Sequence, residues 1–203
     1  MNTRTAFPLG FTALLLGAAV ALGWALWHMV EDTPSEAAQT PAIRSEFELV
    51  DQDGRTVRGA DLRGKWQLVF FGFTSCPDIC PTTLTNITTA LEELGPASEK
   101  LQPLLITVDP ERDTPAVLKE YLAAFDPRIL GLTGTPEQVG AALRGFRVYA
   151  AKRPLEGSDY TMDHSTFVYL IDPQGAYAAH FLAQAPVDDM LSKLRERLSG
   201  TQS

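Results

Sequence analysis

Cysteine is nearly absent from this chain: Cys76 and Cys80 are the only two in 203 residues. Two thiols do not build a disulfide-stapled scaffold. They also fall short of the four cysteines an iron–sulfur cluster normally takes. Histidine is scarce too, with only His28, His164 and His180, the first of them inside the apolar N-terminal run, so ligand count disfavours a four-ligand structural zinc site. No run of lysine or arginine occurs and the net charge is −8. A phosphate-binding surface needs clustered cations, so nucleic acid is excluded as a partner. Proline is missing between Pro154 and Pro173. Apolar residues are plentiful: 45% of the chain is hydrophobic, enough for a real core. The length suits one domain with extensions.

One long charge-free run covers residues 6–30 and is dominated by Leu, Ala, Gly and Trp. About twenty such residues span the hydrocarbon core of a bilayer, and an ordinary signal-peptide core is shorter. Arg4 precedes the run and Glu31 and Asp32 follow it. The positive-inside rule then leaves the N-terminus in the cytoplasm and sends the rest across. Trp24 and Trp27 suit the far interface, and His28 sits at the boundary without assigned chemistry. The competing reading is a cleaved signal peptide with Ala19-Val20-Ala21 at the cut. Residues 31–44, rich in Ser, Ala, Thr and Pro, read as a linker. This divides the chain into an anchor over 1–30, the linker over 31–44, and a folded domain over 45–200.

Within that domain, Asp51-Gln52-Asp53-Gly54 sits between apolar positions and predicts a hairpin turn. It begins like a calcium loop but does not complete the ligand pattern. Residues 67–71, Gln-Leu-Val-Phe-Phe, form an apolar run expected of a strand covered on both faces. Leu84, Ile87, Leu91 and Leu94 recur at helical spacing up to Gly95-Pro96. Residues 101–108 predict another strand, and Thr114-Pro115 starts a helix with Pro at its first position. Residues 129–132 read as a short strand, and Thr135-Pro136-Glu137-Gln138 is a capping box opening a helix to Phe146. A short strand is predicted at 148–151, a mobile loop over 153–162, a strand at 166–171, a turn at Asp172-Pro173-Gln174-Gly175, a return strand at 177–181, and a closing helix over 186–198. Strands alternating with helices imply an α/β fold: a thioredoxin-like central mixed sheet flanked by helices, preceded by the N-terminal transmembrane helix.

The two cysteines follow the first central strand, where ligands bind in open α/β sheets. Their spacing predicts that residues 76–80 open the next helix, with both sulfurs on one face. The rise over that interval is about 6 Å, inside the range a disulfide tolerates. The helix N-terminus favours thiolate over thiol. Two chemistries remain open, disulfide exchange and binding of a soft metal. Thiolates select Cu(I), zinc or iron–sulfur, and of these Cu(I) is content with two or three ligands. His164 in Met162-Asp163-His164-Ser165 is the natural third donor. It occupies the loop entering a strand that faces the cysteines, where thioredoxin-like oxidoreductases usually carry a cis-proline. Met162 offers a thioether, while Asp78 and Asp163 are candidates for orienting the donors. His180 reads as structural.

Three motifs together resemble the Sco/SenC family: Phe-Gly-Phe-Thr-Ser-Cys-Pro-Asp-Ile-Cys-Pro (71–81), Val-Asp-Pro-Glu-Arg-Asp-Thr-Pro (108–115), and Asp-His-Ser-Thr-Phe-Val-Tyr-Leu-Ile-Asp-Pro-Gln-Gly (163–175). These are membrane-anchored, thioredoxin-like copper chaperones for cytochrome c oxidase. The resemblance implies copper, as Cu(I) or Cu(II), held by Cys76, Cys80 and His164. It also implies a redox-active disulfide between Cys76 and Cys80. The implied role is delivery of copper to the dinuclear copper A site of oxidase subunit II, or reduction of that site's cysteines. A copper donor and a thiol reductant are then further partners. The N-terminus lacks an Arg- and Ser-rich transit peptide, so the expected location is the bacterial inner membrane, single-pass, with the domain in the periplasm. The rival is a periplasmic thiol-disulfide reductase with Cys76 as nucleophile and Cys80 resolving. A peroxidase is disfavoured because Thr74 to Cys76 does not supply a Thr-x-x-Cys setting.

Overall fold

A strand that alternates nothing must be buried on both sides, and β3 (Trp66–Gly72) is buried at every position. The computed structural model describes residues 23–24, 43–157 and 159–200. The predicted anchor (1–30), apart from residues 23–24, and all but the end of the predicted linker (31–44) therefore lie outside the described residues. Among the described residues no helix is long and apolar enough to cross a membrane.

β3 is one of the inner strands of a seven-stranded sheet ordered β2-β1-β5-β4-β3-β8-β9. It pairs in parallel with β4 (Leu101–Thr107) and antiparallel with β8 (Phe167–Ile171). β5 (Leu130–Thr133) continues the parallel part. β1 (Glu48–Asp51) and β2 (Thr56–Arg58) form the predicted hairpin at one edge, and β9 (Tyr177–Leu182) closes the other. Gly54 takes the tight turn of the hairpin with φ +83°, a conformation glycine adopts without penalty.

Helices cover both faces, as the sequence predicts. On the face of Phe70 and Leu105 lie α1 (Ile79–Leu94) and α2 (Pro115–Leu122); Gly131 of β5 meets Leu118 and Leu122 of α2. α4 (Val187–Ser199) packs against α1. The opposite face is covered by α3 (Pro136–Phe146), where the Phe71 ring meets Phe146 at 5.1 Å and Tyr169 at 6.1 Å. Local signals set these starts. Thr114 accepts from the Val117 N–H, and Thr135 with Gln138 completes the capping box.

Four expectations need correction. The helix does not open at Cys76: α1 begins at Ile79, with Asp78 at its N-cap. Cys76 precedes Pro77, and the ring of a proline disfavours helical geometry in the residue before it. The stretch predicted as a mobile loop over 153–162 is strand at both its ends, at 153–154 and 160–162. β6 (Ala150–Pro154) and β7 (Tyr160–His164) pair antiparallel as a separate two-stranded ribbon. Its positions Arg153, Thr161 and Asp163, which line the cleft beside the cysteines, are polar, which masks the strand signal. The short strand predicted at 148–151 is accordingly displaced to β6. His164 is the last residue of β7 rather than part of a loop.

Candidate functional site

Gly72 ends β3, and the chain then folds back so that the two sulfurs meet. The Cys76 N–H donates to the Phe73 carbonyl at 3.3 Å, and the Cys80 N–H reaches Cys76 Sγ at 3.4 Å. The sulfurs thus converge through a pre-helical turn and the first turn of α1, not through helical spacing alone. A side chain at Gly72 would enter this space: its Cβ would lie 3.0 Å from Cys80 Sγ and 2.9 Å from the Phe70 ring. Both cysteines are free thiols. Cys80 is fully buried while Cys76 is partly exposed.

This asymmetry sets their chemistry. The hydrogen bond from the Cys80 side chain draws the Cys76 pKa down to about 5 against the opposing effect of burial, helped by the Asp78 and Cys80 N–H groups and by His164. The same bond, together with burial, pushes the Cys80 thiol up. The pair therefore holds one shared proton on Cys80, with negative charge on the exposed sulfur. Alkylation by iodoacetamide should modify Cys76 at a rate that is flat above pH 7 and falls as pH drops through about 5. Cys80 should stay unmodified over the same range. A Cys76 rate that keeps rising up to pH 9 would contradict this assignment.

Cys76 opens on a cleft of about 390 Å³ whose walls include Phe73, Pro77, Asp78, Met162 and His164. β7 delivers the last two. Residues 160, 162 and 164 share one face because strand side chains alternate. The His164 ring stands edge-on to Phe73 at 5.8 Å and Phe70 at 6.5 Å. Its Nδ1 lies 2.9 Å from the Ser165 carbonyl oxygen. A carbonyl oxygen only accepts, so Nδ1 carries a proton there, and it is Nε2 that the neutral ring offers to a metal. Cys76 and His164 thus share one cleft with Cys80 directly behind. Among the described residues no three His, Cys, Asp or Glu side chains are already gathered around a metal-sized space. The donors are two soft sulfurs and one imidazole nitrogen, a set that fits Cu(I) and offers too few ligands for structural zinc.

The other predicted participants are less central. Met162 is half-buried against the core on the cleft wall. Asp163 points to Arg153 in an ion pair, and Asp78 contributes its backbone N–H to Cys76 rather than its carboxyl group. His180 pairs with the Tyr177 hydroxyl at 2.6 Å on edge strand β9, outside the cleft.

Sequence reasoning missed Asp113, Thr74 and Tyr160. Asp113 is fully buried and accepts from the Thr74 N–H at 3.1 Å, Thr74 Oγ1 at 2.6 Å and Thr107 Oγ1 at 2.6 Å. It ties the cysteine loop to the end of β4. The signal available was Asp109-Pro110-Glu111-Arg112-Asp113 at the C-terminal end of a parallel strand, the edge where sites form in such sheets.

The SCO1/SenC family model matches residues 35–199. A SCO2-like protein of Rickettsia felis is 43% identical over 155 residues, which cover 75% of this chain and 76% of that protein. Among solved structures, Bradyrhizobium japonicum ScoI with copper bound superposes with a TM-score of 0.72 at 42% identity, covering 76% of this chain and 99% of that one. BsSco, a member of the Sco family of cytochrome c oxidase assembly proteins in which a disulfide switch was identified, gives a TM-score of 0.64 at 27% identity, covering 80% of this chain and 98% of its own.

Proposed function

The chain belongs to the SCO1/SenC family, and on that premise we propose that it is a copper-binding protein of cytochrome c oxidase assembly whose ligands are Cys76, Cys80 and His164. The observation that carries this reading is the shared cleft: Cys76 and His164 both line it, the Cys80 N–H bonds Cys76 Sγ from behind, and the Ser165 carbonyl engages Nδ1 of His164 rather than Nε2. Copper-bound ScoI supports the choice of metal.

The charge state predicts how binding proceeds. Cys76 is already a thiolate at pH 7, so a Cu(I) ion must displace the proton that remains on Cys80. The two sulfurs should release about one proton between them near pH 7 and approach two as pH falls below about 5, where Cys76 is protonated as well. Affinity therefore declines more steeply at the acid end. Calorimetry in buffers of different ionisation enthalpy reads this proton count directly. An affinity unchanged between pH 7 and pH 4 would contradict the two-thiolate site.

Oxidation removes both sulfurs at once. When a disulfide joins Cys76 and Cys80, two electrons leave to an acceptor and the Cys80 proton goes to solvent. Metal loading and the disulfide are thus alternative states, and in an oxidising compartment a thiol reductant is required. The cargo passes from a copper donor to subunit II of the oxidase, at its dinuclear copper A site, by stepwise ligand exchange at the exposed Cys76. Residues 1–30 hold the chain in the bacterial inner membrane with the domain in the periplasm. The support for this placement is the charge-free run and its flanking charges.

The low pKa of Cys76 and the burial of Cys80 also favour a second reading, thiol-disulfide reduction. Cys76 would attack a substrate disulfide, and Cys80, losing its proton, would resolve the mixed disulfide and release the substrate as a dithiol. The experiment that separates the two is Cu(I) titration of reduced and disulfide forms alongside turnover of a disulfide substrate. The copper reading expects one tightly bound Cu(I) on the reduced protein and none on the disulfide form. It fails if both forms bind alike.

A further inference from the structure

None of the proposed ligands lies in the loop between β4 and α2, yet residues 109–113 of that loop grip both segments that carry them. Toward the ribbon, Asp109, 1% exposed, accepts from Arg112 Nε at 2.5 Å and from the Tyr160 hydroxyl at 2.8 Å. Arg112 Nη1 donates to the Tyr160 carbonyl at 2.9 Å. The Arg112 guanidinium lies 3.9 Å over the Tyr160 ring, and the Lys152 ammonium 4.5 Å from it. Toward the cysteines, Asp113 holds Thr74, two residues before Cys76. The two grips are fixed relative to each other by a tight turn, in which the Arg112 and Asp113 N–H groups both donate to the Asp109 carbonyl at 3.2 and 2.9 Å.

The ribbon needs such a grip. β6 and β7 pair only with each other, outside the main sheet, and an isolated two-stranded ribbon is marginal by itself. Its direction comes from side-chain contacts. Tyr160 and His164 are on the same face of β7, so an anchored Tyr160 sets where the His164 ring arrives. A buried ion pair such as that of Asp109 and Arg112 is poor at raising stability, because desolvation offsets its attraction. It is well suited to fixing geometry.

Resting on the copper reading above, we propose that Tyr160, clasped by Asp109 and Arg112, is the positioning residue that aims His164 at the cysteine loop, with residues 109–113 as the shared bracket for both halves of the site. Tyr160 touches no copper in this scheme; it acts through His164.

The test is a double-mutant cycle on the full chain with two readouts. Cu(I) affinity is measured for wild type, Tyr160→Ala, His164→Ala and the double variant. Hydrogen exchange of the β7 amides is followed without metal. Tyr160→Ala should weaken Cu(I) about 10-fold, the size expected for a group that orients a ligand. In the His164→Ala background the same change should have no further effect. The β7 amides should exchange faster while those of β3 stay protected. Tyr160→Phe, which keeps the ring under Arg112 and loses the bond to Asp109, should fall between. Equal affinity losses in both backgrounds would assign Tyr160 a purely structural role and overturn the proposal, as would unchanged exchange in β7. If His164→Ala alone leaves Cu(I) affinity intact, it is the ligand assignment that fails. The exchange data then still decide whether the clasp directs the ribbon.

Discussion

Replacing His164 with alanine should weaken Cu(I) binding by more than about 100-fold, beyond the 10- to 100-fold that losing a ligand's supporting partner costs. The disulfide potential of Cys76 and Cys80 should hardly move. The first expectation follows from the tautomer. The Ser165 carbonyl engages Nδ1 at 2.9 Å, so Nε2 is the nitrogen left to bind a metal. Without it Cu(I) keeps two sulfurs, one of which must still give up its proton. The second follows because His164 is the smallest of the influences that favour the Cys76 thiolate, so its loss shifts the reduced pair little. A reductase would keep its turnover in this variant and a copper carrier would lose its cargo. Intact Cu(I) affinity in His164→Ala would remove the imidazole from the site.

Asp113→Ala should destabilise the fold by about 3 kcal/mol or more, because it orphans the Thr74 N–H and the Thr74 and Thr107 hydroxyls around a fully buried position. For a domain of this size each kcal/mol moves the melting temperature by roughly 2–4 °C, so a thermal melt should fall by about 6–12 °C. Asp113→Asn keeps one accepting oxygen and should lose less. The cysteine loop should also loosen, visible as faster iodoacetamide modification of Cys80 at neutral pH. A stability loss under about 1 kcal/mol, typical of a surface change, would show that Asp113 does not tie the loop.

Local features of this chain were readable from its residues. The Asp53-Gly54 turn, the Thr114 and Thr135 caps, and the unbroken apolar run of β3 each depend on neighbours within a few positions. The cysteines and His164 stand out in the sequence by their scarcity, and the structure brings Cys76 and His164 to one cleft. Features set by distant partners were not readable. Thr74 meets Asp113 39 positions away and Tyr160 meets Asp109 51 positions away, and neither pairing leaves a periodic trace. The β6–β7 ribbon leaves no strand pattern for the same reason: its inward face is held by a polar clasp as well as by apolar packing of Ala150 and Met162. The i, i+4 spacing predicts a helix from Cys76, but Pro77 disfavours helical geometry at Cys76 and the helix starts at Ile79.

The central claim is that two sulfurs and one imidazole converge on a single copper ion, though the cysteines lie more than eighty positions from the histidine. X-ray absorption at the copper edge, on the reduced full chain loaded with one equivalent of Cu(I), counts those donors directly. Two sulfurs and one nitrogen, reverting to two sulfurs in His164→Ala, is the predicted result. A first shell of sulfur alone in the unaltered protein would contradict it.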